Sequence, residues 1–163
     1  MNKIYNNTEL DTFLKESNNI EDERSDEAFK DAWNAWKFLE CFDELTLNRV
    51  LECHRTLMLN LNKRIAGKLR DCNVRVGYRI CPEYTLLSGL LNEWFVKHGN
   101  AITEEEIKKA HVAFEEIHPF EDGNGRTGRI IMNWQRIKNN LPLLIIHEGA
   151  EQYEYYKWFR YNE

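Results

Sequence analysis

HPFEDGNGRTGR, residues 118–129, is the stretch from which the rest of the sequence is best interpreted. It holds one histidine, two carboxylates, three glycines and two arginines. Apolar residues recur at helical spacing on both sides of it, so it joins two helices. Pro119 cannot continue a helix, whereas the glycines allow a tight turn before the next one. The stretch therefore predicts a helix, a short loop and a helix, with the polar groups at the junction.

The helix before this loop has a clear start and a clear apolar face. Thr103 is followed three residues later by Glu106, which is the spacing of a capping box. The apolar face comprises Ile107, Ala110, His111, Phe114 and Ile117. His118 is the next position on that face, so we expect it at the helix end and at the edge of the core. We expect His54 and His111 to be hydrogen-bonded core histidines, and Phe120 to turn inward.

Helical spacing covers most of the remaining chain. Helices are predicted behind Thr8, behind Ser25 as an N-cap, from Leu47, after Pro82, after the loop to Asn139, and from about Ala150 to Phe159. Residues 72–82, CNVRVGYRICP, instead alternate in polarity around Gly77, which predicts a short β-hairpin. No repeat or linker divides the chain. We therefore predict a mainly α, single-domain helical bundle over residues 1–163 with a small hairpin.

Composition limits the classes of partner. The 163 residues are 42% hydrophobic, which supports one core, and the net charge of -5 offers no broad basic surface for nucleic acid. No leader pattern and no membrane-length apolar run occurs, so we expect a cytoplasmic protein without membrane contact. The four cysteines form no CxxC pair, which favours buried, reduced thiols.

The residue types in the loop suit a polyphosphate. Glycines leave backbone N–H groups unshielded at a helix N-terminus, which favours an anion. Arg126 and Arg129 project from one side of that helix and match phosphate oxygens. Asp122 is placed to hold Mg²⁺ between phosphate oxygens, and His118 can act as a general base toward a hydroxyl. A nucleoside triphosphate with magnesium is the predicted ligand class.

Two other kinds of site are disfavoured. The Walker pattern is absent, and the glycines do not form GxGxxG after a strand. A zinc site of His111, Glu115 and His118 lacks the HExxH pattern, and the helix ends at the third ligand. A hairpin turn at Asn124-Gly125 is disfavoured by the helices on both sides.

The loop matches the Fic-domain signature HxFx[DE]GNGRxxR at every specified position, and the chain resembles the Fic (Fic/Doc) family. The following IIMNW, the VRVGYRICP segment and the helix with Tyr155-Tyr156 also resemble the family's pattern. The resemblance implies a Fic-fold bundle with a flap. It further implies transfer of AMP from ATP to a Tyr, Thr or Ser hydroxyl of a target protein, with release of pyrophosphate.

The resemblance also implies roles for individual residues. His118 would deprotonate the target hydroxyl, Asp122 would bind Mg²⁺, and Arg129 would position the γ-phosphate. The remaining phosphate contacts would come from Gly123, Asn124, Gly125 and Arg126. Tyr155 and Tyr156 would border the adenine. The flap residues that cover the nucleotide and align the target by strand addition would be Val76, Gly77, Tyr78 and Arg79.

A second family pattern, the inhibitory [ST]xxxE[GN], resembles SNNIED at residues 17–22. It implies that residues 8–24 form an autoinhibitory helix region in which Ser17 and Glu21 belong to the pattern. Asp22 stands where the pattern has Gly or Asn. A carboxylate from Glu21 could replace the γ-phosphate as the partner of Arg129 and block productive ATP binding.

Two alternatives stay open at the level of the sequence. The same fold could transfer UMP, GMP or phosphate, although the unaltered Gly123-Asn124-Gly125 favours attack at the α-phosphate. A non-catalytic nucleotide-binding module is the other alternative, and the intact His118 and Asp122 disfavour it. A homo-oligomer is a possible assembly.

Overall fold

The computed structural model describes residues 3–159, and in that range the chain forms seven α-helices and one hairpin. The helices are α1 (Asn7–Ile20), α2 (Asp26–Glu40), α3 (Leu47–Met58), α4 (Leu87–His98), α5 (Glu104–Ile117), α6 (Asn124–Lys138) and α7 (Ala150–Tyr156). The antiparallel strands are β1 (Arg75–Val76) and β2 (Arg79–Ile80), with Val76 opposite Arg79. Single 3₁₀ turns cover Tyr84–Leu86 and Lys157–Phe159. The predicted mainly α fold with a small hairpin is confirmed.

Local signals account for most helix ends. Thr103 and Glu106 form the predicted capping box at α5, and Ser25 caps α2 through the N–H of Ala28. The start of α1 differs from the prediction, because Asn6 rather than Thr8 caps it, in a second capping box. The start of α4 also lies later than Pro82, since a 3₁₀ turn comes before it.

Helix α6 is the centre of the bundle. Twelve of its fifteen residues are buried, and it packs against α1, α2, α3 and α5. A helix that is surrounded in this way must find partners for its polar side chains inside the protein. Arg126 and Arg129, each 2% exposed, are therefore held at fixed positions in the first turns of α6.

Helix α1 belongs to the core of the bundle. Leu10, Phe13 and Leu14 on its apolar face are each no more than 2% exposed, and Phe13 meets Trp36 edge-on. Burial of three large side chains stabilises this position by roughly 5 kcal/mol or more. The C-terminal end of α1, where Glu21 is the C-cap residue, is thereby brought to the N-terminal end of α6.

The segment between α6 and α7 is held in place by the buried side-chain amide of Asn133. Asn133 accepts a hydrogen bond from the N–H of Leu144 at 2.7 Å and donates to its carbonyl oxygen at 3.2 Å. This pair fixes the path of the chain toward α7. Tyr155 of α7 is consequently buried beside α5.

The cysteines are only partly as predicted. All four are free thiols. Cys53 and Cys81 are buried, and burial raises the pKa of Cys53 to about 12. Cys41 and Cys72 are exposed, so the prediction of burial is wrong for these two. They lie outside the apolar faces of the helices, where the chain spacing gave no reason for burial.

Candidate active site

His118 is the C-cap residue of α5 and has a left-handed backbone, with φ 50° and ψ 62°. Such a conformation is strained for a residue other than glycine and persists only where its surroundings impose it. The ring Nδ1 is buried without a hydrogen-bond partner. Burial, together with the positive charges of Arg79 and Arg70, lowers the pKa of His118 to about 4. The imidazole is therefore neutral at physiological pH.

Arg70 imposes the position of this helix end. It is 3% exposed, and its Nε donates to the carbonyl oxygen of His118 at 2.7 Å. Its other donors reach the carbonyl oxygens of Ile117, Cys72 and Pro82. Its backbone N–H also donates to the carbonyl oxygen of Pro119 at 3.0 Å. The C-terminal end of a helix carries partial negative charge, which suits this buried cation.

Arg79 of the hairpin binds the same helix end. Its guanidinium donates to the carbonyl oxygens of Glu116 at 2.9 Å and Glu115 at 3.1 Å. The side chain that we predicted for target alignment thus points inward in this structure and tethers the hairpin to α5. Tyr78 at the hairpin turn is 99% exposed, and Val76 is 43% exposed.

His54 packs against the loop that follows His118 and fixes its position. Its ring stacks on Phe120, with centroids 3.7 Å apart, and its Nδ1 accepts the N–H of Gly67 at 3.0 Å. The ring proton is therefore on Nε2, which donates to the carbonyl oxygen of Asp122 at 2.8 Å. His54 is a satisfied core histidine, as predicted, and it also supports the loop. Phe120 is fully buried, as predicted.

Asn124 closes the loop from within. Its side-chain amide donates to the carbonyl oxygen of Phe120 at 2.8 Å and accepts that residue's N–H at 2.9 Å. The side chain is 3% exposed, so a phosphate contact at this residue must use its backbone. Gly123 has φ 83°, and a Cβ there would lie 2.8 Å from the sulfur of Met58. Only glycine fits this turn without a shift.

The first turn of α6 offers donors to an anion. No side chain caps it, so its leading N–H groups depend on another partner. Arg126 is buried, and its Nε and Nη1 have no hydrogen-bond partner, while Nη2 faces Met58 at 3.3 Å. Burial lowers the pKa of Arg126. A buried cation with two unused donors beside a helix N-terminus is suited to phosphate oxygens.

Arg129 is hydrogen-bonded to Ser17 in α1 and to Glu21 at its C-terminal end. Its Nη2 donates to the carboxylate of Glu21 at 2.8 Å and to the carbonyl oxygen of Ser17 at 2.9 Å, and its Nε donates to the Ser17 hydroxyl at 2.9 Å. Burial opposes the charged form, but Tyr155 and Glu21 together raise the pKa of Arg129. The Glu21 carboxylate lies so close to Gly125 that a Cβ there would overlap it.

His111 and Tyr155 extend this network. Tyr155 accepts a hydrogen bond from Nη1 of Arg129 at 3.3 Å, and its hydroxyl is hydrogen-bonded to Nε2 of His111, 2.8 Å away. Nδ1 of His111 is buried and has no hydrogen-bond partner. The prediction of a fully satisfied core histidine therefore holds for one of its two nitrogens. Burial lowers the pKa of His111 to about 3.

A cavity of about 660 Å³ joins these groups. It is lined by Glu21, Val76, Tyr78, Arg79, Glu115, Glu116, His118, Gly125, Arg129, Tyr155, Tyr156 and Phe159. Nine of the residues singled out in the sequence therefore meet at one space. Ser17, Gly77, Asp122, Gly123, Asn124 and Arg126, also singled out, lie outside this lining.

The residues present fit magnesium better than zinc. Asp122 is exposed, and one carboxylate oxygen accepts the N–H of Gly123 at 2.7 Å. One carboxylate, together with substrate oxygens and water, is the typical protein share of a magnesium shell. His111, Glu115 and His118 do not converge on one point. Among residues 3–159, the cluster of possible metal ligands is Asp71, Cys72 and Glu121.

Sequence reasoning missed the roles of Arg70 and Glu115. Arg70 follows Gly67 in an irregular segment, and no local pattern pairs it with residues 117–119. Glu115 appeared only in the rejected zinc set. Its one available signal was its place on α5, one helical turn before His118.

The chain resembles known proteins over most of its length. Residues 44–135 match the model of the Fic/DOC family. The chain is 31% identical over 134 residues to protein adenylyltransferase fic-1 of Caenorhabditis elegans, covering 73% of this chain and 26% of that protein. It is 32% identical over 123 residues to protein adenylyltransferase Fic of Aedes aegypti, covering 72% and 24%. The chain thus spans about a quarter of the length of these curated relatives.

Solved structures share the fold. A fragment of Fic-1 from C. elegans superposes with a TM-score of 0.77 at 22% identity, covering 94% of this chain and 57% of that one. A Fic domain containing signaling protein from Bacteroides thetaiotaomicron gives 0.74 at 19% identity, covering 93% and 70%. The chain belongs to the Fic/DOC family. Within residues 3–159, no helix has both the length and the apolar character of a membrane span.

Proposed function

We propose that this protein is an adenylyltransferase that moves AMP from ATP to a hydroxyl side chain of a target protein. The observation that carries the proposal is the convergence of a neutral imidazole, an uncapped helix N-terminus and two buried guanidiniums around one loop. Relatives about 30% identical carry the name protein adenylyltransferase. Together these favour nucleotidyl transfer over nucleotide binding alone.

His118 would be the general base. It would take the proton of a Tyr, Thr or Ser hydroxyl as the oxygen bonds to the α-phosphorus and pyrophosphate leaves. A base must be unprotonated before the reaction, and burial beside two arginines provides this state. Negative phosphates nearby would raise the pKa of His118 toward the value at which it accepts a proton efficiently.

The phosphates would be held by the first turn of α6. Backbone N–H groups from Gly123 to Gly125 and the free donors of Arg126 would face their oxygens. Asp122 would hold Mg²⁺, which neutralises phosphate charge when it is bound. Arg129 would bind the γ-phosphate, and Tyr155 and Tyr156 would border the adenine.

Glu21 would inhibit this activity. Its carboxylate occupies the Arg129 donor that the γ-phosphate requires, and it lies against Gly125 at the entrance to the phosphate site. A triphosphate in the same place would meet like charge. Residues 8–24 would act as an inhibitory region that is folded into the domain and slows transfer in the resting state.

The hairpin would align the target. Its strands are two residues long, and the side chains of Val76 and Tyr78 are exposed beside the cavity. An extended target segment could add to this edge through backbone hydrogen bonds, which would bring a hydroxyl toward His118.

The test compares the unchanged protein with the Glu21→Gly variant, using ATP labelled at the α-phosphate. Loss of one charge-assisted hydrogen bond should raise transfer about tenfold or more, to the protein itself or to lysate proteins. Glu21→Gln, which keeps the shape and removes the charge, should give a smaller gain. Adding His118→Ala should lower labelling by about 10² to 10⁴.

Each outcome bears on one statement. Equal labelling by the unchanged and Glu21→Gly proteins would rule out inhibition by Glu21. Labelling that survives His118→Ala would rule out His118 as the general base. Label transferred from the γ-position instead would indicate phosphate transfer, and preference for labelled UTP or GTP would replace AMP by UMP or GMP. A cytoplasmic location, a lack of nucleic-acid partners and a homo-oligomeric assembly stay predictions.

A further inference from the structure

Glu115 is a carboxylate in the cavity wall to which the proposed mechanism gives no part. It lies on α5 one turn before His118 and is partly exposed to the cavity. Its Oε2 is the carboxylate oxygen in contact with solvent, so it is the atom that a ligand in the cavity can reach, and it has no hydrogen-bond partner within residues 3–159. Its Oε1 is out of contact with solvent and has no partner either. Unpartnered oxygens of this kind are rare in folded proteins, because burying them costs free energy. A group that is kept at this cost beside a ligand cavity points to a bound partner.

The cations near Glu115 do not satisfy it. Arg79 donates to the backbone carbonyls of α5, and Arg129 donates to Ser17, Glu21 and Tyr155. Within residues 3–159, Glu115 takes part in no ion pair. Burial accordingly raises the pKa of this carboxyl to about 7.

The helix opposite makes room for the carboxylate. A Cβ placed on Gly128 of α6 would lie 2.6 Å from Oε1 of Glu115 and 3.0 Å from a ring carbon of His111. The absence of a side chain at Gly128 therefore lets Glu115 sit against the backbone of α6. The carboxylate is confined between two helices at a definite position in the wall.

Charge decides which part of a nucleotide can meet this group. A triphosphate would be repelled by the carboxylate, and its own partners lie at the first turn of α6 and at Arg129. The wall of the same cavity also includes three aromatic rings, those of Tyr155, Tyr156 and Phe159. The nucleoside is the neutral part of the ligand, and it is the part that suits contact with these rings and with Glu115. It carries three kinds of donor, namely the 2′-hydroxyl, the 3′-hydroxyl and the exocyclic amine.

We propose that Glu115 is a specificity-determining residue that accepts a hydrogen bond from one of these nucleoside donors. The inference rests on the proposed nucleotide site and adds to it a group that selects the nucleoside. A site built around an unpaired acceptor rejects analogues that lack the matching donor, because the acceptor then stays unsatisfied.

The experiment measures binding by calorimetry in the Glu21→Gly background, where the phosphate site is open. The probes are ATP, 2′-deoxy-ATP, 3′-deoxy-ATP and purine riboside triphosphate, which lacks the amine. With Glu115 present, one analogue should bind about tenfold more weakly than ATP. With Glu115→Ala, ATP itself should weaken about tenfold and the difference between ATP and that analogue should vanish. The analogue that shows this behaviour identifies the donor.

Two further variants separate selection from structure. Glu115→Gln retains an acceptor oxygen and should keep part of the discrimination. Glu105→Ala, which removes an exposed charge from the first turn of α5, should change no ratio. A purely structural role would weaken all four nucleotides by the same factor in Glu115→Ala, and that result would overturn the inference. If Glu21→Gly protein bound no nucleotide, the proposed function would fail as well, whereas loss of discrimination alone would leave it intact.

Discussion

Asp22 shows how one residue sets the end of a helix. It follows Glu21, has φ 57°, and its carboxylate pairs with Arg24 at 2.9 Å. The left-handed region costs an ordinary residue about 1–2 kcal/mol, whereas Gly, Asn and Asp tolerate it more easily. The inhibitory pattern that SNNIED resembles has Gly or Asn here, two residues that suit a left-handed backbone. Asp22 is therefore a tolerated departure, and Glu21 still reaches Arg129.

Substitutions at Asp22 should follow this backbone requirement. We expect Asp22→Gly to raise the free energy of unfolding by about 0.5–1 kcal/mol, because relief of the left-handed strain exceeds the entropy that glycine adds to the unfolded chain. Asp22→Asn should be close to neutral, and Asp22→Ala should lower stability by about 1 kcal/mol. Denaturant unfolding checks the order. An alanine variant as stable as the glycine variant would contradict the explanation.

At the scale of elements, Arg70 joins the end of α5 to the base of the hairpin. Its guanidinium bridges carbonyl oxygens at residues 117–118 on one side and at Cys72 and Pro82 on the other. Lysine would supply the charge but not the planar fork of donors. The two elements that border the cavity would then lose their common anchor.

We expect Arg70→Lys to lower the rate of transfer by about tenfold to a hundredfold while ATP affinity changes less than threefold. A displacement of about 1 Å at His118 has this effect on a reacting group, whereas the phosphate contacts come from α6. Steady-state kinetics and calorimetry in the Glu21→Gly background separate the two quantities. Arg64→Lys, a matched change at an exposed ion pair with Glu121, should alter neither. Equal loss of affinity and rate would indicate general unfolding instead of a positioning role.

At the scale of the whole molecule, three histidines are held in neutral form, of which His54 and His111 are buried and His118 is partly buried. Burial, reinforced by nearby arginines, lowers the pKa of His54 and His118 to about 4 and of His111 to about 3, against an unfolded value of about 6.5. The unfolded chain therefore binds more protons below pH 6.5, and acid destabilises the fold. Glu115 opposes this trend, because its raised pKa of about 7 makes the folded state bind an extra proton above pH 4.5.

The net difference is about two protons, so the free energy of unfolding should fall by up to about 3 kcal/mol per unit as pH drops from 6.5 toward 4.5. Denaturant unfolding at pH 7, 6 and 5 measures this slope. Glu115→Gln removes the opposing group and should steepen the slope by about one proton. Stability that stays level between pH 7 and 5 would show that these histidines are not held as neutral groups.

The amino-acid sequence alone was enough to predict the mainly α fold, the hairpin, the capping of α2 and α5, and the position of His118 at a helix end. Each of these depends on residues within one or two helical turns, where spacing and side-chain chemistry act directly. Contacts between residues far apart in the sequence could not be predicted from local spacing. The pairing of Arg129 with Glu21 spans 108 positions and was foreseen only through a family pattern. The support of the loop by His54 and Arg70, and the unpaired oxygen of Glu115, depend on how α3, α5 and α6 pack, because only packing brings those groups together and removes them from water.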